Sequence, residues 1–96
     1  MINVQEPRIA CVSITLIEDK IANKIDSLVR VYETSGVSLR TVLSILTDAL
    51  DGLDTMNINK VSNYVYLVLR SFNILPYAVE IKIGGVREMK KLDKTE

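Results

Sequence analysis

A short run of alternating residues near the start of the chain constrains its fold more than any other feature. Residues 10–16 read ACVSITL, in which apolar side chains alternate with smaller and more polar ones, namely Cys11, Ser13 and Thr15. Strict alternation of this kind is typical of a β-strand with one buried face. We therefore predict a strand at 8–16. A strand must pair with another strand, so the position of its partner decides the architecture.

The two segments that follow are predicted to be helices. Apolar residues recur at helical spacing from Ile21 to Tyr32, which predicts a helix over 18–34 that ends at Gly36. Ser38 is a favourable N-cap for a second helix, which would end at Gly52. This order leaves the strand without a partner in its own chain. We therefore expect it to pair with the same strand of a second copy in a two-fold dimer.

A third helix is predicted over 58–75. Asn57 or Asn59 would cap its first turn, and Pro76 would end it. The central run YVYLVL (64–69) is apolar nearly all round, so a buried strand stays open as an alternative for that run.

The last part of the chain carries a second alternating run. Residues 77–83 read YAVEIKI and predict another strand, followed by a turn at Gly84 and Gly85. For 86–96, a hairpin strand and a short helix fit equally well.

Composition favours one domain without catalytic machinery. The 96 residues are 48% hydrophobic, which suits a single domain over 1–96. Twelve basic and twelve acidic side chains cancel, so a partner held by charge alone is not favoured. The chain has no histidine and no Gly-rich phosphate loop. We therefore expect no enzyme, no cofactor and no metal site.

The cysteine content and the hydropathy pattern bear on location. Cys11 is the only cysteine, which excludes a disulfide within the chain and a zinc site built from cysteine and histidine. This favours a reducing, cytoplasmic setting. No secretory signal is recognisable, and no apolar run reaches the roughly 18 residues that span a membrane, so we expect no membrane partner.

The segment VSITLIEDKIANKIDSLVRVYETSGVSLRTVLSILTDAL resembles the ribbon-helix-helix family of small dimeric DNA-binding repressors. The resemblance covers about residues 8–52 and is carried by the VSITL strand, the apolar stripe of the first predicted helix, the GVS turn and the apolar second helix. It implies an α+β, mostly helical fold. Its centre, at 8–53, would be a ribbon-helix-helix dimer core, to which the chain adds a C-terminal helix and strand at 54–96.

The resemblance also implies a function, namely a homodimeric, sequence-specific transcriptional regulator. In this family the paired strands enter the major groove of double-stranded DNA, and alternating outward side chains read the bases. The corresponding residues here are Cys11, Ser13 and Thr15. Phosphate contacts are implied near the start of the strand and at the N-terminus of the second helix, by Arg8, Ser38, Leu39, Arg40 and Thr41.

Two other functions stay open, because the strand face departs from the family pattern. It lacks the Arg, Lys, Asn or Gln that family strands carry, unless Arg8 counts. One alternative is a protein-interaction module, similar to an antitoxin, that binds a protein partner through residues 54–96. Its YAVEIKI strand would add to the edge of the partner's sheet. The other is a winged three-helix domain that binds DNA through its third helix, with a hairpin at 77–92.

Overall fold

A computed structural model describes residues 8–85, which form a three-stranded sheet with two helices on one face. The predicted loose terminus at 1–6, Pro7 and the tail at 86–96 lie outside the described residues. The strands and helices are, in chain order, β1 (Ile9–Asp19), β2 (Lys24–Ser35), α1 (Leu39–Leu50), α2 (Ile58–Ser71) and β3 (Leu75–Ile83).

The first strand is the central strand of the sheet. The strand order is β2-β1-β3, with β1 antiparallel to β2 and parallel to β3. A tight turn joins β1 to β2, in which the Ala22 amide donates to the Asp19 carboxylate at 3.1 Å and Asn23 has a positive φ of 54°. Asparagine tolerates that left-handed conformation better than most residues. The two helices then provide the crossover that returns the chain parallel to β1.

The core lies between the sheet and the helices, in the two-layer arrangement common to small domains. Its buried apolar residues come from one face of β1, from both helices and from the loop between α2 and β3: Ala10, Val12, Ile14, Leu16, Val42, Leu46, Leu50, Val61, Val65, Leu69 and Ile74. The two helices are also joined directly, because the Tyr64 hydroxyl donates to the Ala49 carbonyl at 3.0 Å.

The helix boundaries confirm the predicted start signals. The side chain of Ser38 accepts from the Thr41 amide at 3.0 Å, and that of Asn57 accepts from the Lys60 amide at 3.0 Å. These side chains satisfy amide donors that have no partner within the first turn. Gly52, with φ of 79°, follows the end of α1 as predicted. Because α2 is helical throughout, the alternative of a buried strand at 64–69 is wrong.

The helix predicted at 18–34 is wrong, since most of this segment is β2 and the turn before it. From Ser27 onward the partly buried Ser27, Val29 and Val31 alternate with exposed residues, a period of two, and Leu28 is one of the exposed ones. The same apolar residues also fit a spacing of three and four, which made a helix plausible. Pairing with β1 decides between the two periods. It also overturns the mostly helical prediction, because the described residues are 41% strand and 33% helix.

The predicted ribbon-helix-helix dimer core is wrong for a related reason. Its defining feature is a strand that pairs with its own copy. Here β1 has β2 on one side and β3 on the other, so neither edge is free for a second copy. The end of α2 also differs from the prediction: the helix stops at Ser71, and Pro76 lies inside β3.

Candidate functional site on the open sheet face

The sheet face turned away from the helices carries the three residues predicted to contact bases. Val12 and Ile14 point into the core, so the odd-numbered residues Cys11, Ser13 and Thr15 share the opposite face. We call this surface the open face. Alternation along β1 was sufficient to place these three side chains together.

Strand register decides which side chains flank them. Ser13 lies opposite Arg30 on β2 and Glu80 on β3. Thr15 lies opposite Leu28 and Lys82. Each row therefore has a hydroxyl at its centre and a basic side chain on one of its two flanks.

A β-bulge adds an aromatic side chain to this surface. The pairing of β1 with β2 shifts between Cys11 and Val12, so that β2 carries one extra residue, Tyr32. Bulges change the direction in which local side chains point. Tyr32 is 57% exposed and lines the same depression as Arg30.

These residues enclose a shallow depression of about 210 Å³. It is lined by Ser13, Thr15, Leu28, Arg30, Tyr32 and Lys82. Its lining therefore combines two hydroxyl groups from the central strand, one basic side chain from each flanking strand and an aromatic ring. This combination can bind an anionic group together with a flat, apolar one.

Ser13 is the most unusual member of the site. Ser13 is only 5% exposed, and its hydroxyl has no hydrogen-bond partner within residues 8–85. Buried hydroxyls are nearly always paired, because an unpaired one loses its water without compensation. A ligand oxygen in the depression would supply the missing partner.

The electrostatics of the open face are balanced but locally basic at the depression. Lys82 Nζ lies 3.9 Å from Glu80 Oε1, and both side chains are more than half exposed, so this pair adds little to stability. In the part of the chain that the structure describes, Arg30 makes no ion pair. Its guanidinium is therefore available to a ligand.

The residues predicted to contact phosphate do not lie on the open face. Ser38 and Thr41 belong to the N-terminus of α1, in the helical layer, where their hydroxyl oxygens are 2.6 Å apart. Leu39 and Arg40 are exposed in the same turn. Arg8 donates to the carbonyl of Phe72 at 3.2 Å, just beyond the end of α2.

Sequence reasoning missed Arg30, Tyr32 and Lys82 as site residues. The first two were assigned to a helix, and the alternation in KIDSLVRVYETS was the signal that could have placed them on a strand. Nothing local could have shown that Lys82 lies beside Thr15, because this pairing joins strands far apart in the chain.

A second, larger cleft lies between the β1–β2 turn and the end of α1. Its volume is about 530 Å³, and its lining includes the acidic residues Glu18, Asp26, Asp51 and Asp54. Among residues 8–85, no group of three or more acidic, cysteine or histidine side chains is placed to hold a metal ion. Lys24 Nζ lies 3.5 Å from Asp26 Oδ1 in this cleft, so the negative charge of the cleft is partly balanced.

In the described range, neither helix has the length and apolar character needed to cross a membrane. Comparisons with protein-family models, with curated proteins and with solved structures found no match for this chain.

Proposed function

We propose that this protein binds single-stranded nucleic acid on the open face, without catalysis. Phosphate oxygens of the strand would accept from the hydroxyls of Ser13 and Thr15, with one phosphate beside Arg30 and the next beside Lys82. One base would stack on Tyr32. Charge-assisted bonds from arginine suit phosphate, and base stacking on an aromatic ring tolerates any sequence.

The observation that carries this proposal is the hydroxyl of Ser13, which has no hydrogen-bond partner within residues 8–85. It is buried at the centre of the depression, opposite a cation with no ion pair in the described chain. If this sheet face had no role beyond contact with solvent, a buried hydroxyl without a hydrogen-bond partner would not be expected there. An anion is the partner that satisfies Ser13 and Arg30 together.

The arrangement of strands favours a single strand over a duplex. The major groove admits an α-helix or a two-stranded ribbon, whereas β1 is the middle of three strands. A sheet face instead suits unstacked bases, which lie flat against it. Under this proposal Cys11, Ser13 and Thr15 keep a ligand-contacting role. A role in regulation and a cytoplasmic setting remain parts of the proposal.

The proposal is tested by fluorescence anisotropy with a labelled oligonucleotide of about 10 nucleotides, in single-stranded and duplex forms. We expect the single strand to bind more tightly than the duplex. Ser13→Ala, Arg30→Ala and Tyr32→Leu should each weaken binding, by about tenfold for the loss of one strong contact. Arg70→Ala is the matched control, since it removes an exposed arginine from α2 in the other layer.

Three outcomes would overturn the proposal. Equal loss in Arg70→Ala and Arg30→Ala would mean binding by overall charge. Preference for the duplex would mean a different binding mode. Full competition by inorganic phosphate at a concentration matched to the nucleotide would show that the depression binds the anion alone. Circular dichroism of each variant must first show that the fold is retained.

A further inference from the structure

In residues 8–85, the outer side of β3 is an edge whose backbone groups pair with no other strand. Within the described residues, β3 pairs only with β1. The Gly84 amide donates to the Leu16 carbonyl at 2.7 Å, which shows which backbone groups of β3 face β1. Even-numbered amides near the end of β3 therefore point toward β1. The amides and carbonyls of Val79, Ile81 and Ile83 point toward the free edge.

The charges on β3 select one register for pairing with a second copy. When two identical antiparallel strands pair, a two-fold axis passes through one residue and its own copy. With the axis at Ile81, Glu80 lies opposite Lys82 of the second copy, and Lys82 lies opposite Glu80. With the axis at Glu80 or at Lys82, identical charges face each other instead. Opposite charges directly across a strand pair stabilise it, and like charges destabilise it.

The directions of the backbone N–H and C=O groups of β3 agree with this register. An axis at Ile81 requires its N–H and C=O to exchange bonds with the second copy, and these groups point to the free edge. Val79 would likewise pair with Ile83 of the second copy. Side chains that pair in this way share a face, so both salt bridges form on the open face.

Exposed apolar side chains lie beside the same edge. Ile83 is 50% exposed at the end of β3. Tyr64 is directed toward α1, as its bond to Ala49 shows, and Tyr66 follows roughly 200° round the helix. Tyr66, 41% exposed, is therefore on the side of α2 away from α1, and α2 itself packs against β3.

We propose that two copies of this chain associate through antiparallel β3 strands, with the two-fold axis at Ile81. The result is a continuous six-stranded sheet with all four helices on one side and both open faces on the other. This interface replaces the β1 pairing that the family resemblance implied. It also assigns a partner to the strand that the protein-interaction alternative had singled out. The proposal does not depend on nucleic-acid binding.

The test is sedimentation equilibrium of the full chain, without nucleic acid, using charge variants. Glu80→Lys and Lys82→Glu each place like charges across the interface, so each should weaken dimerisation by about tenfold or more. The double variant Glu80→Lys/Lys82→Glu restores the opposite pairs and should dimerise like the wild type. Mixing the two single variants should produce heterodimers, because every cross-strand pair is then of opposite charge.

Arg70→Ala serves as a control that changes charge away from β3 and should leave the association unchanged. A wild-type chain that stays monomeric at all concentrations would overturn the proposal, and would indicate that another segment covers the edge. Dimers equally stable in all variants would place the interface elsewhere. If the double variant dissociates as readily as the single variants, the Ile81 register is refuted.

Discussion

Ser13 on β1 and Arg30 on β2 lie directly opposite each other, on the sheet face turned away from α1 and α2. Side chains in such positions have Cβ atoms about 4.5–5.5 Å apart, so one ligand group can contact both. The hydroxyl is buried, whereas the guanidinium is at the exposed edge of the sheet. A ligand oxygen that accepts from the Ser13 hydroxyl therefore lies within reach of the positive charge of Arg30.

Binding should depend on salt only weakly. If Arg30 and Lys82 each neutralise one phosphate, the logarithm of affinity should fall with the logarithm of salt concentration with a slope of about −1.4 for a single strand. Arg30→Ala should reduce the slope to about −0.7. Anisotropy titrations across a series of salt concentrations measure both values. A wild-type slope near zero would contradict the phosphate contacts.

The thiol of Cys11 provides a footprint of the open face. It is the only cysteine in the chain, and it is partly exposed next to the site. A saturating single-stranded oligonucleotide should slow its reaction with a maleimide reagent, because the ligand covers the same face. Mass spectrometry over time measures the rate. Ser13→Ala, which binds weakly, should show little protection, and an unchanged wild-type rate would place the ligand elsewhere.

The Ser38 side chain is expected to act in stability and not in binding. Its oxygen caps α1 by accepting from the Thr41 amide, so Ser38→Ala should lower the free energy of unfolding by about 1 kcal/mol. Affinity for the oligonucleotide should be unchanged. Chemical denaturation and anisotropy separate the two effects. Ser44→Ala, on the exposed middle of α1, is the control and should stabilise the helix by a few tenths of a kcal/mol. Loss of affinity in Ser38→Ala would instead support the phosphate contact implied by the family resemblance.

Two substitutions on β2 test whether this segment is a strand in solution. Val31 is partly buried against the core, whereas Leu28 is 55% exposed on the open face. Val31→Ala should cost about 1–1.5 kcal/mol, since it removes two partly buried methyl groups. Leu28→Ala should change stability by less than about 0.5 kcal/mol. Urea denaturation measures both. The reverse order would indicate the helix that the three-and-four spacing suggested, in which Leu28 is buried.

Local signals in the sequence determined several elements correctly. Alternation predicted β1 and β3, and the polar side chains of Ser38 and Asn57 marked the starts of both helices. Each of these signals acts within a few residues, through strand pleating or through a capping hydrogen bond. The shared face of Cys11, Ser13 and Thr15 was predictable for the same reason.

The identity of β2 and the composition of the site depend on contacts between segments far apart in the chain. The apolar residues of β2 fit two periods, and pairing with β1 provides the energy that selects one of them. Lys82 lies next to Thr15 because β3, which follows both helices in the chain, pairs in parallel with β1. Local sequence pattern is therefore enough to predict which side chains of one strand point the same way. Which strands lie next to each other, and hence which charges flank the buried hydroxyl of Ser13, depends on burying one common core beneath both helices.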